Sequence, residues 1–178
     1  LALDGRVLLP AAGGRVLVRD DTDSANGASR SVAFYGDAAY AAASATYDAT
    51  VFINTPLTID SQGNVYFGFA VTGSNPTNLA GGVARIGADG RGSWVPASAA
   101  AGDAAMVKAA TNSAPALSVD ERTLYVVVNA SLAPGARANG RLLALDSSTL
   151  PTRATTPLLD PLSGTPAWVF VFDDTATT

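Results

Sequence analysis

The 178-residue sequence contains no cysteine and no histidine. The first absence excludes disulfides, thiolate metal centres and a cysteine nucleophile, but is silent on compartment, since exported proteins without cysteine are common. The second removes the most frequent general base, the most frequent transition-metal ligand and the usual switch near neutral pH. Lysine and glutamate occur once each, as Lys108 and Glu121, so charge rests on arginine and aspartate. No run of about 18 apolar residues occurs, and with it goes membrane insertion by a spanning helix. The first residues, "LALDGRVLLPAAGG", carry an aspartate in their apolar stretch and no basic lead, so they do not read as a signal peptide.

What is present is small, turn-rich and slightly acidic. Roughly a fifth of the residues are alanine, so the hydrophobic fraction of 48% fills less volume than it implies. Large anchors are limited to two Trp, six Phe and five Tyr. With 17 Gly and 10 Pro, many turns are expected rather than long helices. The net charge is −4 and the 11 cations are scattered singly, which argues against a nucleic-acid partner.

The chain repeats itself. "PLTIDSQGNVYFGFAV" from Pro56 and "PALSVDERTLYVVVN" from Pro115 share a proline, a short apolar stretch, an aspartate, a polar turn and a hydrophobe–tyrosine pair. A shift of 59 residues places Pro56 on Pro115, Tyr66 on Tyr125, Val83 on Leu142, Ile86 on Leu145 and Tyr35 on Trp94. Asp60 and Asp120 are one residue further apart, so a residue moves between turn and strand from one copy to the next. Alanine-rich stretches at 37–49 and 97–109 coincide at a shift of 59 or 60. Short helices suit their propensity; a connector is preferred, because each lies where one unit passes to the next.

Each unit reads as four short strands joined by turns, with hairpins expected at 60–64, 87–91 and 120–123. Such units describe all-β, four-stranded antiparallel blades of a β-propeller. The whole of 1–178 reads as one propeller segment: a partial blade over 1–36, blades over 51–95 and 115–155, and the start of a further blade over 167–178. A ring takes about four to eight blades, so the expectation is an incomplete ring belonging to a larger propeller.

"SVDERTLYVVVN…GRLLALDSSTL" and "IDSQGNVYFGFAV…GGVARIGADGRGSW" resemble the repeat of pyrroloquinoline-quinone-type, or quinoprotein-like, β-propellers over roughly 51–150. The form is an aspartate-containing turn, a Val/Leu–Tyr strand, a gap, then G-x-L-x-A-L-D or its equivalent. That superfamily includes quinone-dependent alcohol and sugar dehydrogenases, outer-membrane assembly scaffolds and many secreted proteins. The resemblance implies, for its dehydrogenases, a vicinal disulfide, a stacking tryptophan, calcium or a lanthanide held by Glu, Asn and Asp, and a catalytic Asp. This chain has no cysteine, and its only glutamate lies in a turn, so no cofactor site is visible in it.

The residues that invite a site reading have structural alternatives. Pro56, Asp60, Tyr66, Trp94, Pro115, Asp120, Tyr125 and Asp146 recur with the repeat; the aspartates are expected to cap turns and the aromatics to pack between blades. Asp89 has the same reading in the second hairpin. Tyr35, Trp94 and Trp168 could instead form a ligand platform. Asp20, Asp21 and Asp23 in "RDDTDSANG" offer clustered hard oxygens for calcium, but lack the full D-x-D-x-D-G series and a distal glutamate. Ser113, Ser118 and Ser131 have no histidine to activate them, and nothing sets Lys108 beside one of them. Two functions therefore stand. One is a non-enzymatic structural or binding segment of a secreted, periplasmic or surface propeller, its partners being the remaining blades or copies of itself. The other is a fragment of a quinone-dependent dehydrogenase or sugar-active propeller enzyme whose site lies in other blades. An export signal is expected outside this sequence.

Overall fold

Alternating apolar residues and glycine-bearing turns fold into three consecutive antiparallel sheets. The computed structural model describes residues 5–111, 113–132, 138–159, 161–165 and 168–169. Blade 1 holds β1 (Val7–Ala11), β2 (Arg15–Arg19) and β3 (Ser29–Ala33) in that order. In blade 2, β4 (Val51–Ile53) and β5 (Thr58–Ile59) both pair with β6 (Val65–Val71), forming one interrupted inner strand. The sheet continues through β7 (Gly82–Ile86) to β8 (Gly92–Pro96). Blade 3 repeats this plan with β9 (Lys108–Ala109) and β10 (Ala116–Leu117) on β11 (Thr123–Asn129), then β12 (Ala138–Asp146) and β13 (Thr152–Pro157). A short β14 (Trp168–Val169) pairs with the start of β12; the rest of the expected further blade at 167–178 lies outside the described residues. These up-and-down sheets are blades of the propeller type, arranged as an open row.

The sequence repeat is a repeat of pairing. Tyr66 lies opposite Arg85 in blade 2, and their mates Tyr125 and Ala144, each 59 residues on, lie opposite one another in blade 3. Ile59 pairs with Val65 but Leu117 pairs with Leu124, so the extra residue of the second copy sits in the β10–β11 turn. The strands leave turns at 60–64, 87–91 and 118–122. Gly63, at φ +85°, supplies the left-handed conformation that closes the first.

Strand alternation gives blade 2 two working faces. Val65, Phe67, Phe69, Ala84 and Ile86 pack against Val16, Val18, Val32 and Phe34 of blade 1. Phe34 meets Phe69 at 4.5 Å and Phe67 at 5.7 Å between ring centroids. Tyr66 and Val83 point the other way, into Leu124, Val126, Val128, Leu143 and Leu145 of blade 3. Near the inner edge the blades nearly touch at backbone level: a Cβ on Gly68 would come within 2.2 Å of Ala109 Cβ.

The alanine-rich connectors are helical, contrary to the preferred reading. They form α1 (Asp37–Ala42), α2 (Ser44–Thr50) and α3 (Ala97–Ala101), carrying the chain from the outer strand of one blade to the inner strand of the next. Helices this short are not stable alone. Packing holds them: Tyr47 of α2 is fully buried, as nearly are Ala97, Ala100 and Ala101 of α3. Gly102, at φ +62°, ends α3, its amide and that of Asp103 returning to Ala99 and Ser98.

Candidate functional site

The most densely bonded groups lie along the hairpin rim of blades 2 and 3, and Asp60 is the first of them. Its carboxylate accepts from the Gln62 amide (3.0 Å), the Asn64 amide (2.8 Å), Asn64 Nδ2 (2.6 Å) and the Tyr66 hydroxyl (2.9 Å). Asn64 Oδ1 in turn accepts from Arg85 (2.7 Å) and the Ala88 amide (3.1 Å), joining the two hairpins of blade 2. Burial alone would raise the Asp60 carboxyl, but the donors on it outweigh that cost and hold it below the usual carboxylate range. Burial, with the Asp60 carboxylate beside it, pushes the Tyr66 hydroxyl up.

Blade 3 solves its turns differently. Asp120 is exposed, accepts from Ser118 Oγ and the Arg122 amide, and is held low by those bonds. Asp146 closes the turn after β12, accepting from the amides and hydroxyls of Ser148 and Thr149. Arg153 lies 2.7 Å from its second oxygen, and these donors hold its carboxyl well below the usual range. Asp89 is exposed at the tip of the β7–β8 turn, accepting from the Arg91 amide. No pair among these is arranged as donor and acceptor of a transferable proton; each carboxylate is occupied by fixed donors.

Further side chains tie blade 2 to blade 3. Glu121, whose φ is +56°, reaches across to Ser61 in the neighbouring turn and accepts from its amide (2.9 Å) and hydroxyl (2.5 Å). Thr58 Oγ1 donates to the carbonyl of the buried Pro115, and Asn54 Nδ2 to that of Ala109. Pro56 is exposed in the break of the inner strand, where Thr55 Oγ1 receives the Gly68 amide at 2.8 Å. Lys108 is buried and donates to Thr111 at 2.6 Å. Above these ties, Arg85, Asn64 and Ser93 face Ser148 and Thr149 across an open groove of about 520 Å³.

Asp20, Asp21 and Asp23 lie in the long β2–β3 loop, with Asp20 half-buried and the other two exposed. They do not converge. Asp20 pairs with Arg30 at 2.5 Å, and the Arg19 guanidinium lies across the loop, donating to the carbonyls of Ser24 and Gly27 at 2.9 Å each. Among the described residues no three His, Asp or Glu side chains are grouped to hold a metal. The Arg30 and Arg19 guanidinia thus hold the Asp20 carboxylate and the loop carbonyls of Ser24 and Gly27.

Tyr35 and Trp94 come together at the outer junction of blades 1 and 2, lining a shallow groove of about 630 Å³ with Asp37 and Arg91. Tyr35 stacks on Tyr47 at 4.5 Å and donates to the Gly13 carbonyl, while Trp94 meets the ring of Phe69 edge-on at 6.2 Å. Trp94 is half-buried rather than enclosed, because blade 1 covers only part of its ring. The side chain of Trp168 lies outside the described residues.

No family model matches the chain, and no curated protein matches it in sequence. In structure it is similar to the Dos1 propeller, at 15% identity and a TM-score of 0.48, over 88% of this chain and 35% of that one. It is also similar to a luciferin-regenerating enzyme, at 16% identity and a TM-score of 0.45, over 87% of this chain and 43% of that one. The chain thus spans less than half the length of either.

Two features of the rim escape sequence reading. Glu121 reads as a surface turn residue, yet it and Ser61 occupy matching turns of adjacent units, a signal available once the blades are stacked. The Asn64–Arg85 link leaves no repeat signal, because blade 3 has Thr123 and Ala144 at those places. Tyr125 departs from its expected burial: it is 41% exposed where its mate Tyr66 is 1% exposed, since among the described residues no sheet covers its face of blade 3.

Proposed function

We propose that this chain is a non-catalytic structural or binding segment of a quinoprotein-like β-propeller, working through its blade faces and rim loops rather than through a reacting group. One observation carries this reading: the recurring carboxylates that look reactive in sequence, Asp60, Asp120 and Asp146, are turn acceptors held ionised by their donors. A group fixed in this way is a poor general acid or base, whose effectiveness depends on a pKa near the working pH. The quinoprotein-like assignment rests on the "GRLLALD" phrase, which forms β12 and delivers Asp146 to its turn. Loops rich in Ser, Thr and Asn fit a protein exported to the periplasm, the medium or the cell surface. Its partners are the remaining blades of the same polypeptide, with no nucleic acid among them.

The test is turnover. The protein is incubated with pyrroloquinoline quinone, calcium and a panel of alcohols and aldoses, and reduction of an artificial electron acceptor is followed. The reading expects no dye reduction above the protein-free rate, and expects Asp60→Asn and Asp146→Asn to alter melting alone. Dye reduction that Asp60→Asn or Asp146→Asn abolishes, with the fold intact, would overturn it.

A further inference from the structure

Blades 1 and 2 meet through two kinds of surface. In one part of the junction the rings of Phe34, Phe67 and Phe69 interlock. Beside the blade 2 turns at 60–64 and 87–91 the walls are aliphatic instead: Leu8, Val18 and Val32 of blade 1 face Ile59, Val65 and Ile86 of blade 2. They leave a cavity of about 130 Å³ between the sheets. Val18, Val32, Val65 and Ile86 are buried, so the space lies in the core and not on the surface. On the opposite face of blade 2 the residue beside Val65 is Tyr66, whose ring is buried against blade 3. The strands of blade 1 carry no aromatic residue, so no ring enters the cavity from that side. Water is a poor occupant, because it needs roughly two to four polar partners and the six wall side chains offer none.

The mouth is polar. Arg6 and Arg30 line it, with Asp89 and the backbone of the turn glycines. Arg6 is half-buried and reaches from blade 1 to the first turn of blade 2, where a Cβ on Gly63 would stand 3.5 Å from its Nη2. Arg30 gives Nη1 to Asp20 at 2.5 Å, and its other nitrogens make no hydrogen bond among the described residues. Two guanidinia and one carboxylate in the lining suit an anionic head group.

We propose that this cavity binds a small carboxylic acid, its apolar ring or branched chain between the sheets and its carboxylate on Arg6 and Arg30. An apolar cavity of about 150 Å³ holds benzene, so 130 Å³ suits a body of about five or six carbons. The guanidinium fork matches the two oxygens of a planar carboxylate. Both walls belong to described blades, so the site is complete without any further blade. It does not rest on the non-catalytic reading, and goes beyond it in assigning a ligand class.

Saturation-transfer NMR and thermal melting of the full 178-residue chain test this with benzoate as the probe. Acetate supplies a head without a body, and benzyl alcohol a body without a charge. Benzoate is expected to receive saturation at its ring protons and to raise the melting temperature with concentration, as a ligand of the folded state does. The two controls should bind about tenfold or more weakly, since each forgoes either the apolar burial or the charge-assisted bonds. Arg6→Gln and Arg30→Gln should each bring benzoate toward the affinity of benzyl alcohol. Val18→Phe puts a ring into the cavity and should abolish benzoate binding while the chain still melts cooperatively. Benzoate that fails to bind the wild-type chain overturns the proposal. So does a folded Val18→Phe that binds it as the wild type does, because the ligand then sits elsewhere. If Val18→Phe does not fold, the arginine variants and the control ligands decide: affinities equal to that of benzoate for the wild type overturn the proposal.

Discussion

Replacing Asp60 by asparagine preserves the side chain's shape but turns one acceptor into a donor, facing Asn64 Nδ2 and the Tyr66 hydroxyl that already donate there. Leaving those groups unsatisfied should cost about 1–3 kcal/mol, read as a lower denaturant midpoint at neutral pH. The pH dependence follows from the sign of the shift. A carboxyl held lower in the folded than in the unfolded state contributes stability above its unfolded pKa, and that contribution is lost as pH falls through the folded value. Asp60, Asp103, Asp120 and Asp146 are all held low, so stability should decline in acid, and Tyr66, whose hydroxyl is held up in the fold, adds a second decline only in strong alkali. With no histidine it should stay level between about pH 5 and 8. Asp60→Asn should flatten part of the acid decline; a variant whose acid curve runs parallel to the wild type would remove Asp60 from this role. Glu121→Ala should have a smaller effect, since the Ser61 bond is exposed and competes with water.

At the scale of elements, the strands were legible because their apolar residues alternate and their turns contain Gly, Asn and Asp in workable places. Alternation also assigns faces, but not what covers them, which is why Tyr66 and Tyr125 read alike and differ in exposure. The helices were less legible: five to seven residues, mainly alanine in α1 and α3, carry no apolar stripe, and their stability comes from contacts distant in sequence. Tyr47 supplies the best test. It is enclosed by Tyr35 and donates to Thr77, so Tyr47→Ala should cost about 3–5 kcal/mol and loosen α2. Trp94→Ala should cost less, about 1–3 kcal/mol, because its ring is only half covered. Gly68→Val probes the blade 2–3 junction from the opposite side. It forces atoms into Ala109 and Thr55, and should destabilise by about 1–3 kcal/mol or more through overpacking. The equivalent Val127→Gly leaves the covered face untouched and should lower stability only through strand propensity, about 1 kcal/mol. Equal effects at the two sites, measured by chemical unfolding, would mean that the blades do not meet at Gly68.

For the molecule as a whole, the three blades of the described residues form a row with two cores between its sheets, and among those residues nothing covers the outer face at either end. Blade 1 turns Leu9, 50% exposed, outward, and blade 3 turns Tyr125 outward. Contiguous exposed apolar faces of this kind mark contact surfaces or association liabilities. The most direct measurement is sedimentation of residues 1–178 over a range of concentrations, with binding of a hydrophobic dye and a thermal melt on the same samples. The account predicts dye binding and open-ended, concentration-dependent association rather than a discrete dimer, both reduced by Tyr125→Asp. A compact monomer at every concentration, silent to the dye and melting in one cooperative step, would contradict it.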